Sequence, residues 1–247
     1  MGNTRESGHQ INVAMFDILI LETNSFGTDY NPSKQILKKE ALHTLSITAK
    51  AATSLVTETG STTKIARHAR IASFKLLNTL ITRVNNAMKA SDANTEMKKS
   101  VASLSKKLQG KRITPKMSEE EKKAAAFGKN EIHEHSSSQM GFDNRLANFA
   151  QLISLLSSIP SYTPNETELK TENLNKLLED LNTKNKAVVS AEILLGNARI
   201  ARNKVLYHKV TGLVDVANDV KSYTKSVFGA SSPQYRSISK LRFTRPH

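Results

Sequence analysis

A chain that carries one pattern twice has to fold as two similar modules, and this chain repeats itself at a spacing of 132 residues. Tyr30 falls on Tyr162, Pro32 on Pro164, Leu37 on Leu169 and Glu40 on Glu172. Leu42, Leu45 and Val56 fall on Leu174, Leu177 and Val188, and Ala66-Arg67-His68-Ala69-Arg70 falls on Ala198-Arg199-Ile200-Ala201-Arg202. The alignment runs without a gap from Tyr30 to about Lys89. With one residue gained or lost upstream, Phe16, Leu19 and Ile20 also match Phe149, Leu152 and Ile153. Convergent heptads could supply the leucines. They would not supply a Tyr-x-Pro and an Ala-Arg-x-Ala-Arg at a fixed separation, so duplication is the expectation.

The second copy shows the design most clearly. Thr163 suits a helix N-cap, Pro164 the first helical position, and Glu166 completes a Thr-x-x-Glu capping box. Leu174, Leu177, Leu181, Lys184, Val188, Ala191, Leu195 and Ala198 then recur at alternating steps of three and four, along one helix face. This predicts a helix over Tyr162–Arg202, about 40 residues and roughly 60 Å long. In the first copy Asn31 and Pro32 take the cap positions, but Lys34 replaces the glutamate. Its seam, Leu42, Leu45, Ala49, Ala52, Val56, Thr59, Thr63 and Ala66, is smaller and more polar. Gly60-Ser61-Thr62 is expected to bend or break that helix, because glycine costs about 1 kcal/mol in a helix interior. A seam this lean is one that a second copy of the chain could complete, which makes a homo-oligomer a candidate assembly.

Shorter amphipathic stretches surround these rods: Ile11–Thr23, Ile71–Met88, Met97–Leu108 closed by Gly110, Phe149–Leu156 stopped before Pro160, Leu213–Val227 after a turn at Thr211-Gly212, and a last short helix from Ser232-Pro233. Ser118-Glu119-Glu120-Glu121 caps a short helix within a basic linker. No run alternates apolar with polar residues as a strand would. The expected class is all-α: an elongated bundle of long antiparallel helices with coiled-coil-like seams, built from two tandem repeats. The repeats span 1–110 and 141–247, with the linker at 111–140.

Aromatic residues make up 5% of the chain and Trp is absent, so Leu, Ala, Ile and Val must fill the core. Cys is absent too, which removes disulfides, thiolate nucleophiles and cysteine-based zinc sites. The sequence from Met1 lacks the apolar run of a signal peptide, and Glu6 breaks the myristoylation pattern. No stretch approaches 18 consecutive apolar residues, so no transmembrane segment is expected and the default is a soluble cytoplasmic protein.

Little in the sequence points to catalysis. His133-Glu134-His135 is the one dense candidate for a metal site, but its i, i+2 spacing does not set both rings on one helix face. Glycine-rich phosphate loops, a Gly-x-Ser-x-Gly elbow and Glu-x-x-His pairs are missing. The expectation is therefore no enzyme, no metal and no cofactor. The net charge of +14 is unevenly spread: residues 31–90 carry +8, 91–130 carry +5 and 199–247 carry +8, against −3 for 1–30 and −4 for 131–198. Arg67, Arg70, Arg199 and Arg202, with Lys111 and Arg112 of the linker, are the candidate residues for gripping an anion or a partner. Each helical arginine pair, three positions apart, lies on one side of its helix. Either the pairs clamp phosphate or carboxylate through planar bidentate forks, or they bridge acids of a neighbouring helix and cover the seam with their stems; the second role is favoured. Stacking aromatics and recognition motifs for nucleic acid are missing, so any such contact would be to the backbone. The leading functional expectation is a non-enzymatic helical binding or scaffold protein that offers a basic surface to an acidic macromolecule, nucleic acid or protein. The alternative is a membrane-interacting helical bundle, a pore-former or remodeller, although its longest apolar run, Leu152–Ile159, is too short to span.

Tyr30-Asn31-Pro32, Tyr162-Thr163-Pro164-Asn165, Ala198–Tyr207, Thr211-Gly212-Leu213-Val214-Asp215 and Ser226–Tyr235 together form a pattern. It resembles that of a group of uncharacterised, internally duplicated all-helical proteins of the Bacteroidota. The likeness covers most of the chain. It implies a bacterial source and an all-helical fold, and it brings no activity or functional residues with it.

Overall fold

The structure, a computed structural model, describes residues 4–111 and 140–246, with side chains from residue 8. Among these residues the regular structure is all helical and no strand is present. The α-helices are α1 (Thr4–Ser25), α2 (Lys39–Lys75), α3 (Leu77–Ala90), α4 (Thr95–Leu108), α5 (Phe142–Ser157), α6 (Thr171–Tyr207), α7 (Leu213–Phe228) and α8 (Pro233–Ser239). The expected linker helix at Ser118 and the His133-Glu134-His135 cluster lie outside the described residues.

The long helices start later than their sequence suggests. Tyr162–Arg202 is not one helix: Thr163, Pro164 and Glu166 sit in a loop, followed by a single 3-10 turn, Thr167–Leu169, and α6 begins at Thr171. A competing contact overrides the apparent capping box: the buried Tyr162 folds the segment back on itself, its hydroxyl donating to the Leu169 carbonyl at 2.9 Å. Lys170 (ψ 139°) is extended, and its carbonyl accepts from the Leu174 amide to open the helix. The segment from Tyr30 departs from expectation in the same way. The Tyr30 hydroxyl donates to Leu37 O at 2.8 Å, a 3-10 turn covers Gln35–Leu37, Lys38 is extended and α2 starts at Lys39. Glu40 and Glu172, not Glu166, are the acids that meet the helix N-termini.

The expected break at Gly60 does not occur, and α2 is continuous from Lys39 to Lys75. A Cβ at Gly60 would only touch Leu195 at 3.9 Å, so the glycine serves no close approach. Around it the hydroxyls of Thr57, Thr59, Ser61, Thr62 and Thr63 bond back to carbonyls four residues earlier, leaving the helical ladder intact. The real interruption comes at Leu76, a single turn residue before α3.

The chain forms two compact units, and their boundary falls inside both long helices. Unit 1 is Met1–Lys64 with Ser190–His247, and unit 2 is Ile65–Val189. Each therefore takes the front of one long helix and the back of the other, a division different from 1–110 and 141–247. In unit 1, α1 packs on α7 and α8 around Phe16, Leu19, Leu42, Leu206, Leu213 and Val216, each fully buried. The lean seam of α2 is closed here by the chain's own α6: Ala49, Val56 and Thr63 are buried, and the Thr63 hydroxyl reaches the Ala191 carbonyl at 3.1 Å. In unit 2, α4 packs between α3 and α5, and Phe74, Ile81, Val101, Phe149, Leu152 and Leu174 fill the core.

Candidate functional site

The paired arginines separate by role. On unit 2, Arg70 donates to the Asn185 side-chain oxygen at 3.0 Å and lies over the Phe142 ring, 3.9 Å from its centroid. Asn185 in turn donates to Asp143 at 2.7 Å, so Arg70 ties the start of α5 to α6. On unit 1, Arg202 is only 3% exposed, and its guanidinium reaches the Asn203 side-chain oxygen at 3.0 and 3.2 Å. Both inner arginines are thus engaged inside their own units, Arg202 buried and Arg70 half-buried. Arg67, Arg199 and Lys111 are exposed. Arg112 lies outside the described residues.

Periodicity gave no hint of a third structural arginine. Arg145 of α5 is 8% exposed, donates to Asn78 at 2.9 Å and to the Phe74 carbonyl, and sits over the Phe74 ring. Burial holds its pKa below the usual guanidinium value.

Exposed cations occur in both units, Lys75, Lys89, Lys106 and Lys186 among them in unit 2, and a run of them lies in the C-terminal part of unit 1. Lys204, Lys209, Lys225, Arg236, Lys240 and Arg242 are exposed and meet no carboxylate among the described residues. The acids nearby are already engaged. Asp219 binds Lys34 at 2.5 Å, Asp17 binds Lys50 and Ser46, and Asp215 binds Arg245 at 2.5 Å. The segment after α8 is fixed rather than loose. Asn12 pairs with the Thr244 backbone in both directions, at 2.7 and 3.0 Å, Arg245 reaches the Tyr207 carbonyl, and Lys221 donates to Leu241 O beneath Phe243. This anchoring holds Lys240 and Arg242 at defined positions beside α8.

Unit 2 also has a cavity of about 540 Å³, wide open to solvent, at the Tyr162 turn. The C-terminal end of α3 lines it with Arg83, Asn86, Ala87, Ala90, Ser91 and Asp92, and the 161–169 loop completes it. The Tyr162 phenol is pushed up to about 12, first by burial and then by the Glu166 carboxylate. Arg83 is paired with Glu168.

Among the described residues no helix is long and apolar enough to cross a membrane, and no three His, Asp or Glu side chains are grouped to hold a metal. No family model, curated protein or solved structure matches this chain.

Proposed function

We propose that this is a non-enzymatic helical binding protein whose C-terminal basic face takes an acidic macromolecule, with nucleic acid the leading partner. The observation behind the reading is the set of cations from Lys204 to Arg242 that are exposed and unmatched by carboxylates among the described residues. Polyanions bind such faces by releasing counterions from their phosphates, without base-specific contacts. The inward use of Arg70 and Arg202 moves the expected contact away from the paired arginines toward Arg236, Lys240 and Arg242.

We also read the two halves as copies of one ancestral module. The long helices are 37 residues each, and each follows a Tyr-x-Pro loop whose tyrosine bonds the carbonyl seven residues on. Both features support that reading.

Fluorescence anisotropy with labelled duplex and single-stranded oligonucleotides tests the binding function. Affinity should fall steeply between about 50 and 200 mM salt, and changing Arg236, Lys240 and Arg242 together to Gln should lower the salt slope by about 2 to 3. Failure to bind either nucleic acid at low salt removes the nucleic-acid partner. An acidic polypeptide in the same assay then decides for or against any polyanion.

A further inference from the structure

The turns at Tyr30 and Tyr162 share their backbone hydrogen bond, but their surroundings differ at three positions. In unit 1 the Tyr223 ring meets Tyr30 edge-on, with centroids 5.3 Å apart and planes at 86°, and Lys34 pairs with Asp219 across the same corner. The residues 132 positions away are Ser91 for Tyr223, Ala87 for Asp219 and Glu166 for Lys34. A phenol ring and an ion pair are thus replaced by a hydroxyl, a methyl and a lone carboxylate. The space is not refilled in unit 2, and the 540 Å³ cavity stands at that corner. Its volume is within the range of small-molecule sites.

Its electrostatics select the ligand. Arg83, the one cation lining the cavity, is neutralised by Glu168. Asp92 and Glu166 are exposed carboxylates, neither of them in an ion pair among the described residues. The C-terminal end of α3 adds partial negative charge from its last carbonyls. Asn86 and Asn165 supply amides that can both donate and accept. We infer that this cavity is a binding site for a small organic ammonium ion carrying hydroxyl or amide groups, its charge facing Asp92 and Glu166 and its polar body facing the two asparagines.

The site is separate from the basic face of unit 1, so each can fail alone. The test is calorimetric titration of the full chain with glucosamine, glucose and glucuronate, one ring shape at charges of plus one, zero and minus one, with putrescine as an ammonium probe without hydroxyls. Glucosamine should bind with a Kd of about 0.1–1 mM, putrescine more weakly, and glucuronate not at all. Ser91→Tyr, which places the ring that unit 1 has, should abolish binding while the chain stays folded. Glu166→Gln and Asp92→Asn should each weaken binding by about fivefold or more. No glucosamine binding up to about 10 mM overturns the inference. So does glucuronate binding as tightly as glucosamine, or Ser91→Tyr folding normally and still binding. If Ser91→Tyr does not fold, an unchanged Kd in Glu166→Gln and Asp92→Asn is decisive against it.

Discussion

At the Tyr30 corner of unit 1 an aromatic ring from α7, a second aromatic contact between Phe26 and Phe228, and an ion pair all close over one backbone turn. At the Tyr162 corner of unit 2 the same turn faces Ser91, Ala87 and Ala90 in place of the ring, beside the Arg83–Glu168 ion pair. The anchors at the starts of α1 and α5 differ too. Asn12 recruits the Thr244 backbone in unit 1, whereas Arg145 recruits Asn78 and Phe74 in unit 2. What the corners share is the part that sets backbone direction: a buried tyrosine hydroxyl on a carbonyl seven residues ahead, then an extended lysine, then a helix of 37 residues. What differs is side-chain filling. The turn therefore tolerates either a packed or an open corner, and unit 1 should depend on the ring that unit 2 lacks.

The largest expected effect comes from making unit 1 resemble unit 2. Tyr223→Ser removes the edge-on ring pair and leaves a void against Tyr30, and should cost about 2–3 kcal/mol. Thermal unfolding should show a Tm lower by roughly 4–12 °C if the transition is two-state. The converse change, Ser91→Tyr, fills existing space but gives up the Ser91 hydroxyl's bonds to the Met88 carbonyl and the Ala93 amide, and should cost less than Tyr223→Ser. Equal losses from both changes would mean that the two corners do not differ as drawn. A smaller effect tests what they share. Tyr30→Phe and Tyr162→Phe each leave a buried carbonyl, of Leu37 or Leu169, without its donor, and each should cost about 1–2 kcal/mol by urea titration. Unequal costs would show that one of the two hydroxyls does not set its turn.

Much of this was legible in the residues, and the misses have physical reasons. The seam positions Leu42, Ala49 and Val56, with Leu174, Leu181 and Val188, are all buried, because helical periodicity reports the buried face whatever the partner helix is. The same indifference hid the exchange between units: a periodic stripe does not say which helix lies against it, so the boundary at Lys64 within α2 leaves no local signal. Thr163-Pro164-Asn165-Glu166 satisfies a capping box by composition, while the competing bond from Tyr162 reaches seven residues forward, beyond the span of any cap motif. Arg70 and Arg202 carried two readings, since a fork that fits a phosphate also fits an asparagine oxygen and an aromatic face. The cavity had one usable signal, the mismatch of Tyr223 with Ser91, 132 positions away. Its meaning required knowing that Tyr223 packs on Tyr30.

The smallest effect concerns the segment that unit 1 alone uses to close itself. Asp215 accepts from Arg245 and from the Val210 amide at 2.9 Å, and these two bonds, in that order, hold its carboxyl below the usual range. Val210 is a β-branched residue at φ 72°, a conformation that costs energy and persists only where its surroundings hold it. Its neighbour Gly212 has no room for a Cβ, which would lie 2.6 Å from the His208 backbone. A carboxyl with a depressed folded pKa contributes stability that is fully present above its unfolded value, near 4, and lost as pH falls through the folded value. Acidification below about pH 4 should therefore loosen residues 208–212 and 241–246 before the core of unit 1 responds. Amide hydrogen exchange at Val210 and Thr244 should accelerate over that range. Asp215→Asn should bring the faster exchange to neutral pH at a cost of under about 1 kcal/mol, because the Arg245 pair is partly exposed. Unit 2 has no described counterpart of this latch, so exchange at Leu174 and Leu181 should not change in step with it. If those amides accelerate together with Val210 in Asp215→Asn, the anchor is not local to unit 1 and the contrast between the two units fails there.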